Sequence, residues 1–238
     1  MIILKALHNL ALFLAIFIAF FVASLITFCF TPFYRDKRYP FQIAARYWSK
    51  MIILLSGSRL KITGLENIPK GAIMIAANHQ GAADIPILLG GLPITFLFAI
   101  KKELFKVPIF GWYLKKAGYF PVDREMVLNA YKLVDKMVTL LKNGDRILIF
   151  PEGTRSRDGS LGNFKRGSLL AALKSGVPVL PVAISGSYDI LPKGAKFFSP
   201  SQVRLSIGKP IYFTNDLEYE AKVAEVRQSI AEMLTKPL

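Results

Sequence analysis

The chain has 238 residues and a formal net charge of +15 at pH 7, and hydrophobic residues make up 53% of it. This composition excludes a disordered chain and exceeds the apolar content of ordinary soluble domains, so we expect a folded domain with a membrane-embedded part. The one cysteine, Cys29, and the two histidines, His8 and His79, exclude a disulfide framework, an iron–sulfur cluster and a Cys-rich or His-rich metal site.

The N-terminal stretch is apolar, and residues 10–30 contain no charged side chain. Their number matches the roughly 20 residues that a membrane-spanning helix needs, whereas the apolar part of a cleaved signal peptide has ~7–15. Bulky residues such as Phe30 and Phe33 also stand where a cleavage site would need small ones. We therefore expect an uncleaved anchor, with a cleaved signal peptide as the alternative.

Basic residues follow this stretch in greater number than they precede it. Lys5 alone precedes it, and the basic residues that follow are Arg35, Lys37, Arg38, Arg46 and Lys50. The asymmetry predicts that the C-terminal side faces the cytoplasm, and basic residues there attract anionic membrane lipids.

Residues 41–55 form a second apolar stretch, with an amphipathic pattern. Polar side chains recur on one helical face, at Gln42, Arg46, Ser49 and Lys50. Tyr47 and Trp48 are ring side chains of the kind found at headgroup depth. We interpret the stretch as an interfacial helix. The alternatives are a core helix of the soluble domain, or one half of a hairpin that inserts into a single leaflet with the first helix.

The remainder of the chain alternates short apolar strands with helices. The predicted strands are 60–63, 72–78, 95–100, 119–122, 146–150, 177–184 and 203–207. The predicted helices are 84–89, 103–116, 126–142, 164–174 and 218–234. This alternation predicts an α/β fold with a mostly parallel central sheet flanked by helices. We thus divide the chain into a membrane anchor with an interfacial helix (1–58) and an α/β domain (59–238).

His79 directly follows an apolar strand, and Asp84 stands five residues later, just before Pro86. On one straight helix the two side chains would lie about 140° apart, so they can pair only if residues 80–83 form a tight turn. A carboxylate on one imidazole nitrogen fixes the tautomer and leaves the other nitrogen free to act as a base. The alternative is a capping aspartate beside an ordinary loop histidine.

A second polar motif follows another apolar strand and contains Glu152, Gly153, Thr154 and Arg155. Ligands of open α/β sheets bind beyond the carboxyl ends of strands, where His79 and Glu152 would both lie. Gly153 allows a close backbone approach, and the guanidinium of Arg155 matches phosphate oxygens. The alternative is a solvated polar turn.

The two motifs together resemble those of the glycerolipid acyltransferase family, and most closely its bacterial 1-acyl-sn-glycerol-3-phosphate acyltransferase type. The first is a His-x4-Asp motif, and the second reads Phe-Pro-Glu-Gly-Thr-Arg-Ser over residues 150–156. Two further blocks at 118–124 and 177–184, and a linking segment at 101–112, are similar to family blocks. The chain departs from the family pattern at Gly81, where a serine is usual, and at Pro121, where a large apolar residue is usual.

The resemblance implies transfer of an acyl chain from acyl-CoA or acyl carrier protein to the sn-2 hydroxyl of lysophosphatidic acid, giving phosphatidic acid. It implies a catalytic pair of His79 and Asp84. Residues Glu152, Gly153, Thr154, Arg155, Arg124 and Lys101 would bind substrate, with backbone amides near Gly153 as donors to the oxyanion. Of these, Arg155 and Arg124, with Lys101 as a third, would bind the acceptor's phosphate, and Glu152 would hold the acceptor or shape the turn of its motif. No cofactor or metal is expected, and Lys165 and Arg166 are expected to be general basic surface.

Two alternatives remain open. The departures at Gly81 and Pro121 allow a different acceptor, such as glycerol 3-phosphate, another lysophospholipid or a glycolipid. A non-catalytic, membrane-tethered basic protein that binds anionic lipid is the alternative from a different class. The basic charge could also suit nucleic acid, but the sequence has no recognisable nucleic-acid-binding motif, so no nucleic-acid partner is expected.

Overall fold

The computed structural model describes residues 2–122, 127–190, 199–213 and 216–236, and within them the chain forms seven strands and eight α-helices. The strands are β1 (Arg59–Thr63), β2 (Met74–Ala77), β3 (Leu97–Lys101), β4 (Phe120–Val122), β5 (Ile147–Ile149), β6 (Val179–Ser185) and β7 (Gln202–Ile207). The helices are α1 (Ile2–Phe30), α2 (Tyr39–Leu55), α3 (Asp84–Gly91), α4 (Phe110–Lys116), α5 (Val127–Lys142), α6 (Leu170–Ser175), α7 (Ser187–Ile190) and α8 (Tyr219–Thr235).

One sheet joins the strands in the order β1-β7-β6-β2-β5-β3-β4. The five strands from β6 to β4 are parallel to one another, β7 is antiparallel to β6, and β1 pairs parallel with β7. The connections between parallel strands need crossovers, which the helices provide. The predicted class, a mostly parallel sheet flanked by helices, is confirmed.

The centre of the sheet determines where the two polar motifs lie. All four residues of β2, Met74–Ala77, are fully buried, as expected for a strand covered on both faces. Ala76 of β2 lies beside Ile149 of β5 and Pro181 of β6. Because these strands are parallel, the residues that follow β2 and β5 lie at the same carboxyl edge of the sheet.

Helix α1 lies along the protein on one side. Residues Leu14–Phe33 are long and apolar enough to cross a membrane. The indole N–H of Trp48 in α2 nevertheless donates to the carbonyl of Ile16 (3.0 Å), and the buried ring of Phe20 lies 5.5 Å from that of Phe110 in α4. One face of α1 therefore packs on α2 and α4, and the other carries exposed apolar side chains.

Helix α2 is more deeply packed than its polar pattern predicts. Gln42 and Ser49, assigned by the sequence to a polar outer face, are buried, and the Gln42 amide donates to the carbonyl of Ala117 (2.8 Å). Gly90 of α3 allows the close approach, since a Cβ there would lie 3.3 Å from the backbone nitrogen of Lys50. The polar residues of α2 thus serve partly as internal contacts, and the domain division at residue 58 stays a prediction.

Two predicted helices are wrong in their extent. The predicted helix 103–116 is a 3₁₀ helix (Lys102–Lys106), a turn, and then α4, because the chain reverses locally at Pro108 and Ile109, whose φ is +62°. The predicted helix 164–174 begins only at Leu170, because residues 164–169 form a loop whose Lys165 N–H donates to the carbonyl of Pro151 (2.9 Å).

Candidate active site

His79 and Asp84 are in direct contact. Nδ1 of His79 lies 2.7 Å from Oδ2 of Asp84, so residues 80–83 form the tight turn that this pairing requires. The same oxygen accepts backbone N–H groups from Gln80 (2.7 Å) and Gly81 (3.0 Å). Two amide donors on one oxygen identify it as an acceptor, and we therefore place the imidazole proton on Nδ1.

The surroundings of Asp84 hold its carboxylate in one position. Its side chain is fully buried, and it is the first residue of α3, where the helix dipole stabilises negative charge. Its other oxygen, Oδ1, is also buried and has no hydrogen-bond partner within the described residues. A fixed negative charge that contacts only one edge of the imidazole can both orient the ring and stabilise it when it gains a proton.

The His79 ring is held from its face as well as from its edge. It stacks on Phe150 with a centroid distance of 3.9 Å and an interplanar angle of 13°, and its side chain keeps 12% of its exposure. Within the described part of the chain, Nε2 has no hydrogen-bond partner. The free nitrogen of an oriented, neutral imidazole is suited to accept a proton.

The buried carboxylate of Glu152 connects the two motifs by hydrogen bonds. Its Oε1 accepts the backbone N–H of His79 and its Oε2 accepts that of Gly162, both at 2.8 Å. A Cβ at position 162 would lie 2.7 Å from Oε2, so the chain must approach the carboxylate closely there. With both oxygens engaged, Glu152 shapes the site and fixes the His79 backbone. This matches the second of its two expected roles, the first being direct contact with the acceptor.

The sequence analysis did not predict a role for the two amide side chains next to His79, those of Asn78 and Gln80. Asn78 joins β2 to β6, because its Oδ1 accepts from the N–H of Ile184 (2.7 Å) and its Nδ2 donates to the carbonyl of the same residue (2.9 Å). Gln80 donates to the carbonyl of Gly159 (2.6 Å) and accepts from Ser187 (3.1 Å). Polar residues directly after a buried apolar strand were the available signal for both positions.

The loop after β5 turns at Gly153, whose φ is +70°. The N–H of Gly153 donates to the carbonyl of Phe150 (2.9 Å), so this amide is not free to bind an oxyanion, and the prediction of oxyanion donors near Gly153 rests on the amides that follow it. The amides of Thr154 and Arg155 have no acceptor among the described residues, and the next amide, that of Ser156, donates to the carbonyl of His79 (2.7 Å). The loop therefore runs alongside the His79 backbone.

The far end of this loop is tied by Asp158. Its carboxylate accepts from the Ser160 hydroxyl (2.6 Å), the Ser160 amide (3.0 Å) and the Ser156 hydroxyl (3.1 Å). These hydrogen bonds lower the pKa of Asp158 to about 2. The carboxylate thus stays ionised across the neutral range, and its contacts weaken only as the pH falls towards that value.

Two of the predicted phosphate-binding cations, Arg155 and Lys101, lie along the same edge. Arg155 is half-buried and has no carboxylate partner among the described residues. Lys101 ends β3, two strands from β2, is 67% exposed and lies 3.7 Å from Glu103. Arg124 lies outside the described residues. The side chain of Lys165, predicted to be general surface, lies over Gly153, since a Cβ there would be 2.6 Å from its Cε.

The sequence pattern of the acyltransferase family matches residues 59–185, which is more than half of the chain. The chain belongs to the acyltransferase family. The match covers the strands from β1 to β6 and therefore includes both polar motifs at the carboxyl edge.

Relatives of this chain are named for one activity. A 1-acyl-sn-glycerol-3-phosphate acyltransferase of Pseudomonas aeruginosa is 33% identical over 199 residues, covering 83% of this chain and 76% of the relative. A chloroplastic one of Arabidopsis thaliana is 35% identical over 204 residues, or 84% of this chain, which spans 55% of that relative's length. The crystal structure of a 1-acyl-sn-glycerophosphate acyltransferase from Thermotoga maritima superposes with a TM-score of 0.82 at 31% identity, covering 98% of this chain and 99% of the other.

The departure at Gly81 leaves the histidine–aspartate pair of this acyltransferase intact. Gly81 contributes through its backbone N–H, which a serine at the same position would also provide. Pro121 lies in β4, is exposed, and is beside Ile100 of β3. Neither departure touches the His79 ring.

Exchange of Glu152 for glutamine tests the hydrogen bonds by which its carboxylate holds the backbone of His79 and Gly162. The amide oxygen can still accept from one N–H, but the NH₂ group must then face the other, and a buried donor is left unsatisfied. We expect a loss of about 1–3 kcal/mol of stability and a lower kcat, because the His79 backbone shifts. Thermal unfolding and acyl-transfer rates of Glu152→Gln measure both effects. An unchanged melting temperature would contradict the structural role assigned to the Glu152 carboxylate.

Proposed function

We propose that this protein transfers an acyl chain from an acyl thioester to the sn-2 hydroxyl of 1-acylglycerol 3-phosphate, giving phosphatidic acid. The observation that carries the proposal is the His79–Asp84 contact of 2.7 Å at the carboxyl edge, with the second imidazole nitrogen unpaired within the described residues. The activity for which the relatives and the superposed crystal structure are named supports the same acceptor.

The proposed chemistry needs one base and no covalent intermediate. Nε2 of His79 takes the proton from the acceptor hydroxyl as its oxygen attacks the thioester carbonyl, forming the new C–O bond. The tetrahedral oxyanion then collapses, the C–S bond breaks, and the imidazolium returns the proton to the leaving thiolate. Asp84 stabilises the imidazolium between these steps. Cys29, the one cysteine of the sequence, lies on α1 and takes no part.

The oxyanion and the phosphate need separate donors. We assign binding of the oxyanion to the backbone amides of Thr154 and Arg155, which have no acceptor within the described residues. They directly precede the amide of Ser156, which donates to the carbonyl of His79. We assign the acceptor's phosphate to the side chains of Arg155 and Arg124, with Lys101 as a third cation. Lys101 lies two strand spacings from β2, about 10 Å, on the same edge.

We further propose that the enzyme works at the cytoplasmic face of the cell membrane. Helix α1 supplies the apolar surface, and lysophosphatidic acid, with one acyl chain, resides in the bilayer with its phosphate at headgroup depth. The net charge of +15 attracts anionic membrane lipids, acyl-CoA and acidic acyl carrier protein. No cofactor takes part in the proposed reaction.

Exchange of Arg155 for lysine tests phosphate recognition. A point charge replaces the planar fork, so we expect the KM for lysophosphatidic acid to rise by about tenfold while kcat changes less. Arg166→Lys is the matched control, because Arg166 is 94% exposed and pairs with Glu220 (3.7 Å). An unchanged KM in Arg155→Lys would remove this side chain from the phosphate site.

The proposed function is tested by acyl transfer from radiolabelled donors with purified protein in mixed micelles. Acyl-CoA and acyl carrier protein serve as donors. Lysophosphatidic acid, glycerol 3-phosphate, another lysophospholipid and a glycolipid serve as acceptors. We expect phosphatidic acid to be the main product. Transfer to another acceptor but not to lysophosphatidic acid would overturn the proposed acceptor. The absence of transfer to any acceptor would favour the non-catalytic, lipid-binding alternative.

A further inference from the structure

The segment 104–112 runs from the 3₁₀ helix that follows β3 into the first turn of α4, and it presents large apolar side chains to the outside. Leu104, Val107, Ile109 and Trp112 keep 41%, 45%, 48% and 38% of their exposure. Phe105 and Phe110, the other large apolar residues of the segment, pack against the core. Outward apolar residues thus alternate with inward anchors in a segment of fixed shape.

A strained turn directs these side chains outward. Ile109 has φ +62° and ψ −55°, and the N–H of Phe110 donates to the carbonyl of Pro108 (2.6 Å), which describes a γ-turn of the rare positive-φ form. A Cβ at position 111 would lie 2.2 Å from the carbonyl oxygen of Phe105, so only glycine allows the chain to close there. A branched residue at position 109 is unfavourable for the backbone, and local strain of this kind is characteristic of functional sites.

The segment continues the apolar surface of α1. The ring of Trp112 lies 6.0 Å from Phe28, and that of Phe110 lies 5.5 Å from Phe20. Beside these contacts α1 exposes further apolar side chains, including Phe17, Phe21 and Leu25. The exposed residues of the segment and of α1 therefore belong to one surface, which extends from a helix of membrane-spanning character to the edge of the catalytic domain.

The charges around the segment suit an anionic lipid surface. Lys101, Lys102 and Lys106 are exposed at its start, and Glu103 is the one acidic residue between them. Apolar side chains bordered by lysines match a leaflet in which acyl chains lie beneath anionic headgroups. Continuity with α1 and this charge pattern together favour lipid as the occupant.

We propose that segment 104–112 inserts its exposed apolar side chains into the acyl-chain region of the leaflet that α1 contacts, as a second membrane contact of the protein. Because the segment follows the carboxyl end of β3, this contact holds the edge that carries His79 against the headgroups. The inference rests on the membrane association proposed above, and not on the acyl-transfer chemistry.

Single cysteines report the depth of the segment. In a Cys29→Ser background, Val107→Cys and Ile109→Cys are labelled with an environment-sensitive fluorophore. The proteins are reconstituted into vesicles of phosphatidylglycerol and phosphatidylcholine in equal parts, with or without nitroxide-labelled acyl chains. Tyr131→Cys and Leu217→Cys are matched controls, since these positions are 69% and 98% exposed on other elements. The unchanged protein, labelled at its exposed Cys29, reports α1.

We expect the labels at 107 and 109 to lose about half or more of their fluorescence to the nitroxide lipids, because side chains inserted roughly 5–10 Å lie beside acyl chains. The labels at 131 and 217 should respond to aqueous iodide instead. If Cys29 is quenched by lipid but 107 and 109 are not, the second contact is refuted while membrane association stands. If the nitroxide lipids quench none of the labels at 107, 109 and Cys29, both the second contact and the membrane association are refuted.

Two further variants keep the proposal testable if a labelled protein fails to fold. Trp48→Phe leaves Trp112 as the one tryptophan, and brominated lipids should quench its native fluorescence. Ile109→Gly relieves the positive φ, so its melting temperature in detergent should be equal or higher, while quenching of Trp112 by brominated lipid falls. A role for Ile109 in the fold alone would instead lower the melting temperature and leave lipid quenching unchanged.

Discussion

Replacing His79 by alanine is expected to reduce kcat by about 10³-fold or more. A positioned base contributes on the order of 10²–10⁴ to the rate, and no other described side chain pairs with Asp84 in a way that could replace it. The protein should remain folded, because the lost ring stack on Phe150 costs about 0.5–1.5 kcal/mol and the lost donor to the buried Asp84 carboxylate, which keeps two backbone amide donors, costs about 1–3 kcal/mol. Radiolabelled acyl transfer and circular dichroism measure the two quantities.

His8→Ala is the matched control for this variant, since His8 is the other histidine of the sequence and lies on α1. We expect it to keep its activity. Wild-type-like turnover in His79→Ala would refute the proposed base and favour a non-catalytic, lipid-binding role. Loss of secondary structure in His79→Ala would mean that its rate cannot be read as catalysis.

Replacing Asp84 by asparagine is expected to reduce kcat by about 10²-fold. The amides of Gln80 and Gly81 both donate to Oδ2, so they should hold the asparagine with its carbonyl oxygen at that position. Nδ1 of His79 then keeps an acceptor and the same tautomer, and what is lost is the negative charge that stabilises the imidazolium. The new NH₂ group occupies the buried, unpartnered site of Oδ1 and costs about 1–3 kcal/mol of stability.

Asp84→Ala separates the charge from the orientation. It removes the acceptor of all three donors, so we expect a greater loss of kcat than in Asp84→Asn, together with a lower melting temperature. The KM for the acceptor should change little in either variant. Equal activity of the asparagine and alanine variants would contradict the claim that the two backbone amides preserve the ring orientation.

The sequence predicts those features that depend on local patterns. Continuous apolar runs locate the central strands such as β2 and β5, since a strand buried on both faces must be apolar throughout, whereas the edge strand β1 alternates polar and apolar residues. Helical geometry showed that His79 and Asp84 could pair only through a tight turn over residues 80–83, but the residues alone left a capping aspartate open, and the pairing was implied by the family resemblance.

Features that depend on distances across the fold are not predictable in this way. The role of Glu152 depends on where the amides of His79 and Gly162 lie. His79 follows a different strand, and Gly162 lies ten residues further along the loop that contains Glu152. The engaged amide of Gly153 is likewise invisible in the sequence, because any of three consecutive amides could have turned towards Phe150.

The break at Ile109 shows why the linking helix was predicted too long. The amphipathic composition of residues 103–116 is compatible with a helix, and Pro108 alone can bend one rather than end it. The positive φ at a branched residue, permitted by the close approach at Gly111, cannot be inferred from residue preferences, which oppose it.

A double-variant cycle tests most directly whether His79 and Asp84 act as one catalytic unit. Single-turnover acyl transfer is measured with radiolabelled donor for the wild type, His79→Ala, Asp84→Asn and the double variant, with an assay that detects rates on the order of 10⁵-fold below wild type. We expect Asp84→Asn to cause no further loss of rate in the His79→Ala background. Losses that multiply, with the double variant slower than His79→Ala by the full factor of Asp84→Asn, would contradict this expectation.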